Sequence, residues 1–149
     1  MFQWGLSADQ PFAQDFDGDG RADLAVYRPS SGQWFLRLST TAFGQTIVRS
    51  WGLASDVPVP ADFDGDGRSE IAVYRPSTGE WLGIDALNGG LVINRQWGLP
   101  GDIPVPHDYD GDGVIDPAVV RGNGNWFIRQ SSTGGLLIVQ WGLSSDQPR

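Results

Sequence analysis

The chain has 149 residues, of which 40 % are hydrophobic and 11 % aromatic, and a formal net charge of −8. That is enough apolar material for a folded core and too much for a disordered acidic tail. The acidity argues against a nucleic-acid partner, the absence of cysteine excludes a disulfide framework, and no apolar run approaches the roughly 18 residues of a membrane span.

Met1-Phe2-Gln3-Trp4 is not a charged segment leading into an apolar one, so no signal peptide is read here and the chain is expected to be soluble and mature, cytosolic or trimmed. Internal repetition organises everything that follows. Trp-Gly-Leu begins at Trp4, Trp51, Trp97 and Trp141, and an acidic loop begins at Asp15, Asp62 and Asp108. The unit is near 46 residues. One repeat domain over 1–149 is expected, with units at approximately 8–54, 55–100 and 101–144.

In the first unit the loop Asp15–Asp23 runs into the apolar stretch Leu24-Ala25-Val26-Tyr27-Arg28-Pro29, and Trp34-Phe35-Leu36 follows. The second unit shows the pattern most fully. Asp56-Val57-Pro58-Val59-Pro60-Ala61 is extended and proline-punctuated, which suits an edge strand or a strand entry rather than a central strand. After the loop Asp62–Glu70, Ile71-Ala72-Val73-Tyr74 lacks polar alternation and reads as a strand buried on both faces. Arg75-Pro76-Ser77-Thr78-Gly79 is a turn, Trp81–Asp85 a third strand, Asn88-Gly89-Gly90 a hairpin turn, and Leu91–Trp97 the fourth strand. The third unit repeats this more loosely, with Pro117–Arg121 and a shorter turn before Trp126. Four short strands per unit and no helical stretch are expected, and with no linker between them adjacent units should pack directly on one another.

The loops carry the chemistry. In Asp-x-Asp-x-Asp-Gly-x-x-Asp a tight turn can aim side chains one, three and five at one point, and the carbonyl of position seven and the carboxylate of position nine can close the shell. The expected ligands are Asp15, Asp17, Asp19, the Arg21 carbonyl and Asp23; Asp62, Asp64, Asp66, the Arg68 carbonyl and Glu70; and Asp108, Asp110, Asp112, the Val114 carbonyl and Asp116. All are hard oxygens, which suits Ca²⁺ rather than Zn²⁺ or Mg²⁺, about one ion per repeat and three in all. Twelve of the 18 acidic residues lie in these loops, so most of the net charge is a metal-site signature. An EF-hand fails on spacing, because its twelfth position is Val26, Val73 or Val119. The bland alternative, a polar Asp-Gly turn, loses ground with three copies in register.

The loop followed by a strand such as Leu24-Ala25-Val26-Tyr27 resembles the FG-GAP or VCBS repeat, the calcium-binding blade of integrin-α-type β-propellers and of many bacterial extracellular proteins. The resemblance covers essentially the whole chain. It implies an all-β fold of propeller blades, each a four-stranded antiparallel sheet with the calcium loop between its first two strands, and an extracellular or cell-surface location for the parent protein. The Gly-Ala-Pro that often follows the second strand is replaced by Tyr27-Arg28-Pro29 and Tyr74-Arg75-Pro76, which weakens any transfer of integrin-like ligand binding.

The recurring tryptophans read as packing between units rather than as sugar platforms, and Arg28, Arg75 and Arg121 as structural partners of a nearby carboxylate or carbonyl. His107 is the only histidine and the loop carboxylates are already committed, so no catalytic dyad is available and no enzyme is expected. Three blades fall short of the four or more that close a propeller. Either the chain is a fragment or designed piece of a larger propeller, or copies associate, with a dimer of six blades favoured. The near-identical segments Gln3–Pro11 and Gln140–Pro148 point the same way. A β-trefoil is the rival fold, since it closes three repeats of four strands within one chain. The function expected is a calcium-binding structural or protein-interaction module, with a lectin-like module that binds a glycan as the alternative.

Overall fold

In the computed structural model, which describes residues 4–142, each unit is an antiparallel meander of four strands. The first sheet contains β1 (Gln10–Gln14), β2 (Asp23–Arg28), β3 (Gln33–Arg37) and β4 (Thr46–Ser50). The second contains β5 (Val57–Pro58), β6 (Ile71–Arg75), β7 (Glu80–Ile84) and β8 (Leu91–Gln96). The third contains β9 (Ile103–Pro104), β10 (Ala118–Val120), β11 (Asn125–Arg129) and β12 (Leu136–Gln140). Among the described residues no strand of one unit pairs with a strand of another, as closure of a barrel within one chain would require, so the trefoil finds no support. Gln3 and Leu143–Pro148 of the duplicated end segments, and the last two residues of the third expected unit, lie outside the described residues.

Three details depart from the expectation. A 3-10 turn at Ser39–Thr41, between β3 and β4, stands where no helical stretch is predicted, and Ala42 and Phe43 close it in the left-handed region. The first strand is five residues long in the first unit but two in the others, because Pro58, Pro60, Pro104 and Pro106 remove ladder donors, whereas β1 contains only Pro11. Asp85 and Trp97 stand just beyond their strands. The Asp85 carboxylate accepts the Leu87 and Asn88 N–H groups of the turn, and the Trp97 N–H turns to the Gly79 carbonyl.

The sheets stack face to face, and β6 is the shared wall. Ile71 and Val73 join Phe16, Tyr27, Trp34 and Leu36 in the core between the first and second sheets. Ala72 and Tyr74 face the other way, into a core with Trp81, Ile93 and Val119 between the second and third. That is why the strand lacks polar alternation. Trp34 and Trp81 are buried against Tyr27 and Tyr74. Trp51 and Trp97 bridge units, their indole N–H groups donating to the Leu82 and Phe127 carbonyls of the next sheet at 3.1 and 3.2 Å. Burial of side chains this large contributes about 1.5–3 kcal/mol each, which makes the two inter-sheet cores the main source of stability.

The recurring arginines each grip one carboxylate with two hydrogen bonds: Arg28 with Asp9, Arg75 with Asp56 and Arg121 with Asp102. These aspartates stand five residues after the tryptophan of Trp-Gly-Leu in every unit, a regularity by which the sequence reading could have found them. The pairs lock the end of each second strand to the turn preceding the first.

Candidate metal centre

Each acidic loop joins the first and second strands of its sheet, and its first aspartate organises it. Asp62 Oδ1 accepts the Gly65 N–H at 2.7 Å and its Oδ2 the Gly67 N–H at 3.0 Å. Asp15 does the same for Gly18 and Gly20, and Asp108 for Gly111 and Gly113. These glycines adopt positive φ, so the loop can curl its N–H groups around one carboxylate without steric cost.

The curl brings carboxylates together. Asp62, Asp64, Asp66 and Glu70 offer oxygens that all lie within 4.8 Å of one another, as do Asp15, Asp17 and Asp19, and Asp108, Asp110 and Asp116. Asp23 and Asp112 are predicted site residues that the structure leaves out of these clusters. Asp23 is buried, its two oxygens taking the Phe16 and Ser39 N–H groups at 2.8 Å. Asp112 accepts the Val114 N–H and the Ser131 hydroxyl. The residues expected to contribute carbonyls, Arg21, Arg68 and Val114, each donate a backbone N–H to position five of their own loop.

The connection between the third and fourth strands reaches over the loop, which sequence reasoning missed. Ser39 and Thr40 donate hydroxyls to Asp19 and Asp17 at 2.8 and 2.7 Å, and Ser131 and Ser132 to Asp112 and Asp110 at 2.8 and 2.7 Å. In the second unit those places hold Ala86 and Leu87, and Arg68 takes over, bonding Asp66 at 3.1 and 3.0 Å and pairing with Asp85 at 3.0 Å. The only sequence signal was a pair of hydroxyl residues five and six positions after Trp34 and Trp126.

The electrostatics follow the geometry. Burial pushes the Glu70 carboxyl up to about 8, and the charges of Asp64, Asp62 and Asp66 add to this, against the opposing Phe63 N–H. Burial also raises Asp64. In the first and third loops the hydroxyls act in the other direction. The Arg21 N–H and then the Ser39 hydroxyl hold Asp19 below its usual range, and the Ser132 hydroxyl does so for Asp110. A donor set of several carboxylate oxygens, with no nitrogen or sulfur, fits a hard divalent cation, and such a charge would relieve the crowding around Glu70.

The loops also join one unit to the next. The Ser69 N–H donates to the Asp15 carbonyl at 2.8 Å, and the Ile115 N–H to the Asp62 carbonyl at 2.9 Å. Position eight of the second and third loops thus holds position one of the loop before it. No helix among the described residues is long and apolar enough to cross a membrane.

No curated protein and no solved structure gives a significant match to the chain. A family model described as FG-GAP-like repeat matches residues 15–73, from the first residue of the first loop to the middle of β6, and over that span the chain is similar to the FG-GAP-like repeat family.

Proposed function

We propose that the protein is a calcium-binding β-propeller repeat module with a structural or protein-interaction role, each sheet being one blade and each acidic loop one Ca²⁺ site. The observation that carries this reading is the convergence of carboxylate oxygens within 4.8 Å in all three loops. Metal binding then adds to folding free energy, because the ion binds the native loops and not the unfolded chain. Three blades call for further units to close the ring, and a second copy, giving six, is the source we favour. The same reading takes the parent protein to act outside the cell or at its surface. We assign no catalysis: His107 packs edge-on to Tyr109 and bridges to Asp116 through the backbone.

Calorimetric titration with Ca²⁺, together with thermal melts with and without chelator, tests the reading. Binding near three ions per chain and a marked fall in Tm on chelation are expected. An unchanged melt in excess chelator sinks it.

A glycan-binding role is the second reading. A groove of about 450 Å³ between the second and third units, lined by Asn94, Arg95, Arg129 and Gln130 among others, favours it. Against it, Trp34 and Trp81 are buried and unable to stack on a sugar. Silence on a glycan array with the metal sites filled would remove this alternative.

A further inference from the structure

The two internal joints between units are built alike. In each, a position-eight N–H bonds the position-one carbonyl of the preceding loop. The position-seven side chain lies over the position-four glycine of that loop: a Cβ on Gly18 would stand 2.8 Å from Arg68 Cγ, and one on Gly65 2.8 Å from Val114 Cγ2. A tryptophan indole bonds a carbonyl in the next sheet. An isoleucine of the fourth strand, Ile47 or Ile93, packs in the joint.

The outer sheets carry the two halves of that joint. The third unit presents the Asp108 carbonyl, Gly111 with nothing within 4 Å of a Cβ, Trp141 at 75 % exposure and Leu137 at 39 %, the latter in the register of Ile47 and Ile93. The first unit presents the Ala22 N–H, Arg21 with a side chain 74 % exposed, and Phe35 in the register of Leu82 and Phe127. Among the described residues these halves do not meet.

We propose that a second copy of this chain seats head to tail on the open face of the third sheet, with the Ala22 N–H on the Asp108 carbonyl, Arg21 over Gly111 and Leu137 buried against the partner's first sheet. The proposal rests on the propeller reading. Two such joints between two copies make a closed ring of six sheets, within the propeller range. The indole slot on the first sheet is held within one chain by Trp4, which lies 5.3 Å beneath the Arg37 guanidinium as Trp97 lies 5.7 Å beneath that of Arg129. Gly5 meets Val26 there as Gly52 meets Val73. Trp141 therefore enters in exchange for Trp4. Trp141-Gly142 repeats Trp4-Gly5, so the exchange replaces like with like.

Light scattering of the full chain in calcium, across a concentration series, tests this. The expected mass is twice 16.2 kDa. Leu137→Lys should give a monomer with unchanged circular dichroism. Ile138→Lys, on the opposite face of β12 and 54 % exposed, should leave the dimer intact. A wild-type monomer, an open polymer, a dimer that survives Leu137→Lys, or one lost equally with Ile138→Lys overturns the joint. Calcium titration of the same samples reports separately on the metal reading: binding by a monomer leaves that reading standing while the joint falls, and a dimer without binding does the reverse.

Discussion

Arg75 holds Asp56 through two parallel hydrogen bonds, Nε to Oδ1 at 3.0 Å and Nη2 to Oδ2 at 2.9 Å, and the same Oδ2 accepts the Leu53 N–H at 2.9 Å. The Asp56 side chain is fully buried and Arg75 is 21 % exposed. Removing the guanidinium strands a buried charge, so Arg75→Ala should cost about 3 kcal/mol. Urea unfolding measures the loss, and Asp56→Ala in the Arg75→Ala background should cost much less than it does alone.

Acid should act through the same pairs in the outer units. The Arg28 hydrogen bonds hold Asp9 below its ordinary value of 3.8. At Asp102, burial pushes the carboxyl up, but the bonds from Arg121 and from the Leu99 N–H outweigh it, and the net shift is downward. A carboxylate lowered by folding contributes stability that is present above its unfolded value and lost as pH falls through the folded one. The stability difference between wild type and Asp102→Asn should therefore be constant above pH 3.8 and shrink below it, as chemical denaturation at successive pH values would reveal.

On the proposed calcium reading, each acidic loop should contribute independently. At a hundredfold excess of Ca²⁺ over Kd, one site adds about 2.7 kcal/mol to unfolding free energy. Asp15→Asn, Asp62→Asn and Asp108→Asn should each remove one increment. A calcium-induced rise in stability that is the same in all three variants as in wild type would contradict this.

The loop joint can be isolated with two glycines of equal conformation. Gly65 and Gly111 both have φ of +79°, but a Cβ on Gly65 would stand 2.8 Å from Val114 Cγ2 while one on Gly111 meets nothing. The backbone cost of alanine is therefore shared. At concentrations where the chain is a monomer, Gly65→Ala should destabilise by about 1–3 kcal/mol more than Gly111→Ala, the range expected for overpacking. Equal losses would show that the loops do not press on one another.

Much of this architecture is local and was legible in the residues. Asp-Gly repeats dictate the curl of each loop and the unbroken run Ile71–Tyr74 dictates a strand walled on both sides, since each depends on neighbours within a few positions, and the recurrence of the loop at Asp15, Asp62 and Asp108, 47 and 46 residues apart, repeats those local instructions three times. Long-range choices were not legible in this way. That Arg75 selects Asp56, that Ser39 and Thr40 reach over the first loop while Arg68 serves the second, that Asp23 accepts the Ser39 N–H of a distant turn, and that the Ser69 N–H meets the Asp15 carbonyl all depend on how strands return and sheets stack. A repeat in the sequence determines that each unit has such partners to offer. Only the stacking of one unit on the next decides which partner is within hydrogen-bonding distance.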